Sequence, residues 1–425
     1  MFAPAAALRK LGIALRAYAP GWRKDVPAVL FLCAAAVCLR QALDPAGFGF
    51  GHGFEMVAIA KNLAGQGTFG NPFETAATGP TAVVPPLYPV FLAVLIKILR
   101  TPMLVVVAAT VGSIVANALG AALMPRLSLI FYGDIVPGVF AAVLWIGTMR
   151  VTPQWDVNFT VAGLLLFCLL AATIEPQGRI LWSTMKAGVV AGLLTLMNPA
   201  TILVTFPCFL FLLWRRGLLR RAIRCGALFA LVVAMCNAPW AIRNYRIWHA
   251  PVLRTNFGMT IYSSNNPCAE SSLLENSRSG CYQATHPVAS QSEIQLLRTL
   301  GEVEYDRRRT ADALHWIQAN PARFRQLTLA RVVEFWFPDP VDPVYTSYGI
   351  WIAGALSIPG LILMAKRREP VTLLVLLVWL VYPLMYYVVV SANRYRYPIL
   401  WTSLLPAGYC LAVLGRRSIV QRIDK

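Results

Sequence analysis

Charge is what this sequence has least of. Only 13% of its 425 residues are Asp, Glu, Lys or Arg, against about 25% in a soluble domain. That deficit, together with 57% hydrophobic residues and a mean hydropathy of +0.59, argues against a soluble globular chain and for a polytopic membrane protein. Histidine is also rare. His52, His249, His286 and His315 are scattered without metal-ligand spacing, and each reads as a plain polar residue. Neither a glycine-rich phosphate loop nor a zinc-type Cys/His cluster occurs, so the net charge of +19 does not indicate nucleic acid. Internal repeats and low-complexity tracts are absent as well.

The basic excess sits instead in short clusters between apolar runs. Those runs imply about ten crossings at ~20 residues each: 26–43, 103–124, 128–148, 158–174, 181–198, 200–214, 225–241, 347–365, 370–390 and 398–415. Tyr88–Leu99 is apolar but short, and ends beside Lys97 and Arg100; it reads as an interfacial helix. With ten spans, the clusters Arg9–Lys24, Arg126, Arg179, Arg215–Arg224, Lys366–Arg368 and Arg416–Arg417 fall on one side, which the positive-inside rule makes cytoplasmic. The chain then divides into a cytoplasmic N-terminus (1–25) leading into an uncleaved signal anchor, an N-terminal transmembrane module (26–241) with a first outer loop (44–102), an extracytoplasmic helical subdomain (242–345), C-terminal transmembrane helices (346–415) and a cytoplasmic tail (416–425). Within the subdomain, 292–317 has a helical pattern, and Asn320-Pro321 is expected to open a second helix through about Trp336.

Seven cysteines, Cys33, Cys38, Cys168, Cys208, Cys225, Cys236 and Cys410, lie in apolar runs and read as small core residues. Cys268 and Cys281 share the long polar loop. In an oxidising compartment they are expected to pair; the other reading is two unpaired thiols.

Scarce carboxylates are easily weighed. Glu55 begins a short helix in which Met56, Ile59, Ala60 and Leu63 form an apolar face. A carboxylate so placed at a membrane surface would gain basicity on partial burial; equally, a helix N-terminus favours a Glu for its dipole alone. Asp156, after Trp155, begins the fourth span and reads either as a second site carboxylate or as an interfacial charge. Arg243, Arg254, Arg394 and Arg396 all fall on the outer side, among tyrosines that include Tyr245 and Tyr395. Such arginines suit a phosphate clamp, and also suit headgroup anchoring.

In order along the chain stand Phe54-Glu55-Met56 with Ile59-Ala60 and Leu63, Gly79-Pro80-Thr81, Pro85-Pro86-Leu87-Tyr88-Pro89, Pro239-Trp240 with Arg243-Asn244-Tyr245, Arg254-Thr255-Asn256-Phe257-Gly258, and Arg394-Tyr395-Arg396-Tyr397-Pro398. Across roughly 26 to 415 this series resembles the GT-C superfamily of membrane glycosyltransferases, most of all bacterial proteins of the glycosyltransferase family 39 type, whose relatives include protein O-mannosyltransferases and aminoarabinose transferases of lipid A. The resemblance implies an all-α GT-C-like fold and an enzyme using a polyprenyl-phosphate sugar donor on the outer face of a bacterial inner membrane, with a lipid, protein or glycan as acceptor. It maps the base to Glu55, where many members carry Asp, often with a second acid beside it, and a second outer carboxylate to Asp156. Arg243, Arg254, Arg394 and Arg396 would bind the donor phosphate, and Tyr88, Tyr245 and Tyr395 would line the substrate groove. No cofactor is called for, and a divalent metal is left open.

One base plus arginines suits transfer from a phosphate leaving group, expected to invert the anomeric carbon, better than hydrolysis, which needs two carboxylates. A flippase or transporter of lipid-linked sugars would instead need ionisable groups near the bilayer midplane, whereas the charges here cluster at span ends. A non-catalytic envelope-assembly protein is the third alternative, suggested by the missing neighbouring acid.

Overall fold

The computed structural model describes residues 22–44, 54–74, 76–172, 180–215, 217–218, 221–340 and 344–423. Expectations placed on residues 1–21, on the Gly-rich run through His52 and on Arg179 lie outside the described residues. The chain is an all-α polytopic membrane protein, and no strand forms among the described residues. In chain order the helices are α1 (Trp22–Ala42), α2 (Glu55–Gln66), α3 (Leu87–Leu99), α4 (Pro102–Tyr132), α5 (Val136–Thr148), α6 (Val157–Ala172), α7 (Ile180–Met197), α8 (Ile202–Arg215) and α9 (Ala222–Trp248). A helical insertion follows: α10 (Phe257–Ser264), α11 (Leu273–Arg278), α12 (Cys281–Thr285), α13 (Gln291–Leu300), α14 (Glu302–Ala319) and α15 (Pro321–Trp336). The chain then closes with α16 (Val344–Lys366), α17 (Val371–Val381), α18 (Leu384–Tyr387) and α19 (Tyr397–Ile423).

Six of these helices are long and apolar enough to cross a membrane: α1, α4, α7, α9, α16 and α19. Shorter apolar helices occupy 87–99, 136–148, 157–172, 199–215 and 371–387, so ten crossings require four of the short ones. Several boundaries differ from the expected spans for local reasons. Pro125 and Arg126 are carried inside α4, which ends only where Gly133 turns left-handed at φ 70°. Pro383 breaks the expected 370–390 span into α17 and α18. Gly301, at φ 76°, splits the run 292–317 into α13 and α14. Asn320 precedes α15, yet its side chain donates backward to the Trp316 carbonyl at 2.9 Å and does not cap α15.

Small residues let the bundle close. A Cβ on Gly120 would lie 2.3 Å from the Trp145 ring, so glycine lets that indole seat on α4, where its N–H donates to Asn117 Oδ1 at 2.8 Å. A Cβ on Gly408 would lie 2.1 Å from the Pro137 carbonyl, which brings α19 backbone-close to α5. Around this core α4 packs on α1, α5 and α6, α19 on α5 and α16, and α7 on α9. The C-terminal ends of α7 and α9 and the N-terminal ends of α6, α8 and α19 come together beside the helical insertion, which joins α9 to α16.

Candidate active site

A cavity of about 920 Å³ opens where those ends meet the insertion, with Glu55, Asp156, Arg254, His286, Arg394 and Tyr395 in its wall. It continues between α7, α8 and α9 past Leu196, Ile202, Phe206, Phe229 and Val233. One end is therefore ionisable and the other apolar.

Both carboxylates sit at helix N-termini, where the dipole favours a negative charge. Glu55 is the first residue of α2, and Met56, Val57, Ile59 and Ala60 behind it are buried. Asp156 directly precedes α6, and its Oδ2 accepts from Thr160 Oγ1 at 2.7 Å. Tyr88 and Asn158 pin the loop that carries it: Tyr88 OH donates to the Pro153 carbonyl at 2.6 Å, and Asn158 Nδ2 donates to the Arg150 carbonyl at 2.7 Å. The residues before the two acids touch: the Phe54 and Trp155 rings meet edge-on at 5.5 Å. Burial pushes both carboxyls above their usual range, and Arg254 and Arg394 oppose that shift at each.

Separate devices place the two arginines. Arg254 follows α9 and is open to the cavity, with its Nε donating to the Val83 carbonyl at 2.8 Å. The next backbone bond repeats the pairing, Thr255 N–H to the Ala82 carbonyl at 3.1 Å. Glu302, at the start of α14, buckles the two segments by accepting from the Ala82 N–H at 2.6 Å and from the Thr255 hydroxyl. Arg394 lies on the strap between α18 and α19, held by Ser391 N–H to the Ser271 carbonyl and Leu273 N–H to the Ser391 carbonyl, both 2.9 Å. Its guanidinium stands over the Trp155 ring at 3.9 Å and near Tyr395 at 5.4 Å.

Other expected residues do not reach the cavity. Arg243 spends its donors on the Thr81 and Phe69 carbonyls, both at 2.7 Å, so it fastens the loop that holds Arg254 and does not face a phosphate. Arg396 is fully buried against the Trp336 carbonyl and Ser403. Tyr245 is exposed on α9, and Tyr88 serves the Asp156 loop, so neither lines the cavity. Tyr395 does line it.

Sequence reasoning missed His286 and Glu302. His286 stacks on Tyr282 with centroids 4.6 Å apart and faces Glu55 with Nε2 to Oε1 of 3.9 Å. Burial and Arg394 lower its pKa to about 4, so the ring is neutral at ordinary pH. Cys268 and Cys281 are joined in a disulfide, and Cys281 starts the short helix that carries Tyr282 and ends at His286. Reducing this bridge is expected to lower stability by roughly 3 kcal/mol through loop closure. Thermal unfolding with and without reductant checks this, and unchanged melting would contradict it.

No family model matches the chain, and none of the curated proteins matches it in sequence. Solved structures do. The archaeal oligosaccharyltransferase AglB from Archaeoglobus fulgidus, in complex with an inhibitory peptide and a dolichol-phosphate, matches with a TM-score of 0.55 at 13% identity, over 95% of this chain and 51% of that one. The Archaeoglobus fulgidus oligosaccharyltransferase in its apo form gives 0.55 at 13% identity, over 96% and 52%. This chain shares the fold of these oligosaccharyltransferase structures over nearly its whole length. It spans about half the length of the solved chains it matches. A further structure of the Archaeoglobus fulgidus protein, in complex with Zn and sulfate, matches at 0.53 and 13% identity, over 92% and 49%. Among the described residues no three His, Cys, Asp or Glu side chains converge to hold a metal ion. Positive charge beside Glu55 and Asp156 comes from Arg254 and Arg394.

Proposed function

We propose that the protein transfers a sugar from a polyprenyl-phosphate donor to an acceptor hydroxyl, on the outer face of a bacterial inner membrane, as a glycosyltransferase of the family 39 type. One observation carries the reading: two buried carboxylates and two arginines share the ionisable end of a cavity whose other end is an apolar groove between α7, α8 and α9. The donor's lipid tail fits the groove, and its phosphate fits beside Arg254 and Arg394. Glu55 takes the acceptor proton as the hydroxyl oxygen attacks the anomeric carbon. The bond from that carbon to the phosphate oxygen breaks, and its electron pair leaves with the phosphate, whose charge the guanidinium groups stabilise. A single displacement inverts the anomeric carbon. A phosphate needs no general acid to leave, so Asp156 orients groups and holds Arg254 and Arg394 by charge. The apolar groove and the AglB complex with a dolichol-phosphate both favour a lipid-linked donor.

The pH dependence carries a sign. A base works only when ionised, and burial favours the neutral form of Glu55. Transfer is therefore expected to fall, as pH is lowered, at a pH above the ordinary Glu value of about 4.3. A pH profile of kcat/KM measures this, and an acid limb at or below that value would contradict a buried carboxylate base. The reading itself is tested by incubating the purified protein in vesicles with a labelled polyprenyl-phosphate hexose and envelope extract. Covalent label on the extract supports it; donor left intact would refute it.

A further inference from the structure

His286 has a role that transfer alone does not assign. Its Nε2 stands 3.9 Å from the Glu55 carboxylate, too far for a direct hydrogen bond. An oxygen atom set off that line, on the cavity side of the pair, would lie within hydrogen-bond reach of both. The Val288 N–H donates to Nδ1 at 3.2 Å, so the neutral ring carries its proton on Nε2, toward the cavity. The ring is held flat against Tyr282, with the Phe73 ring edge-on at 6.3 Å. The disulfide at Cys281 anchors the helix from which it projects.

We propose that His286 Nε2–H donates to the acceptor oxygen whose proton Glu55 removes, and so selects an alcohol as acceptor. The inference rests on the glycosyl-transfer reading and adds the residue that recognises the acceptor oxygen and rejects other acceptor groups. A hydroxyl oxygen has one hydrogen and two lone pairs. Its hydrogen goes to Glu55, one lone pair accepts from Nε2–H, and the other forms the bond to the anomeric carbon while the phosphate departs with the electrons of the broken bond. A carboxamide nitrogen offers two N–H groups and no free lone pair, so it would leave Nε2–H unpaired inside the site. Sites built to bond a hydroxyl reject groups that cannot return the bond. His286 loses nothing to protonation near neutrality, because Arg394 and burial keep the ring neutral.

The test compares wild type with Glu55→Gln, His286→Phe and His286→Gln in native membranes, using a labelled polyprenyl-phosphate hexose as probe and the endogenous envelope material as acceptor. Phenylalanine keeps the stacking on Tyr282 and removes the donor; the glutamine amide can present an N–H near the Nε2 position. His286→Phe is expected to lower kcat/KM for the acceptor about 10- to 100-fold with the donor KM unchanged. His286→Gln should recover most of that loss, and mass spectrometry should find O-linked sugar only. A helix-packing role would move both KM values and would not be rescued by glutamine, so that pattern overturns the proposal. Glu55→Gln inactive with His286→Phe at full rate, or an N-linked product, overturns the role of His286 and leaves glycosyl transfer standing. Intact donor in wild-type membranes overturns both.

Discussion

Glu55→Gln is expected to reduce sugar transfer by roughly 10²- to 10⁴-fold, the usual contribution of a positioned general base, without harm to the fold. Glutamine keeps the shape of the side chain at the start of α2 and removes a charge that burial disfavours. The melting temperature of the variant should therefore equal or exceed that of wild type. Glu55→Asp separates position from chemistry. It keeps the carboxylate but draws it back by one methylene from a helix end that is fixed by the buried Met56, Ile59 and Ala60. Activity between wild type and Glu55→Gln is expected. Parallel rate and thermal-unfolding measurements on the three proteins check this, and a stable Glu55→Gln variant at full rate would remove Glu55 from the chemistry.

The second large effect belongs to Arg394. Replacing it with Met should lower the rate about 10²- to 10³-fold, as loss of one donor to a developing anion does. Arg394→Lys should fall between, since an ammonium keeps the charge but neither stacks on the Trp155 ring nor offers a fork to phosphate oxygens. A second signature distinguishes this from misfolding. Arg394 lowers the Glu55 pKa, so its removal should move the acid limb of the kcat/KM profile to higher pH. A rate loss with an unmoved limb would mean that Arg394 acts only on the leaving group. Arg254 is a less clean target, because its Nε also holds the Val83 carbonyl.

Much of the fold and part of the cavity wall were legible in the sequence, for reasons that can be traced residue by residue. The helix beginning at Glu55 was visible because its apolar positions recur at helical spacing; the structure ends it at Gly67, left-handed at φ 72°. Arg254 and Arg394 drew notice because cations at span ends that the charge pattern reads as outer run against the usual bias. Arg243 and Arg396 carried the same local signal and proved different: a guanidinium among aromatic residues near a helix end looks alike whether its donors meet a phosphate or, as here, backbone carbonyls. Only the path of the chain decides. His286 and Glu302 had no signal at all. Each is one polar residue in a long mixed loop, and each gains its meaning from contact with the far N-terminal segment, His286 with Glu55 and Glu302 with Ala82. Boundary differences at Pro125 and Pro383 show the same limit. One proline is absorbed within α4 and the other breaks a span, and the packing around each, which no window of sequence contains, selects the outcome.

The most direct measurement follows a labelled polyprenyl-phosphate hexose in sealed vesicles that hold the purified protein and envelope extract. Expected is covalent label on the extract with wild type, label at least about 100-fold slower to appear with Glu55→Gln, and an inverted anomeric linkage in the product. Label that crosses the bilayer equally with both proteins, and stays on its lipid, would contradict a transferase and identify a carrier of lipid-linked sugar.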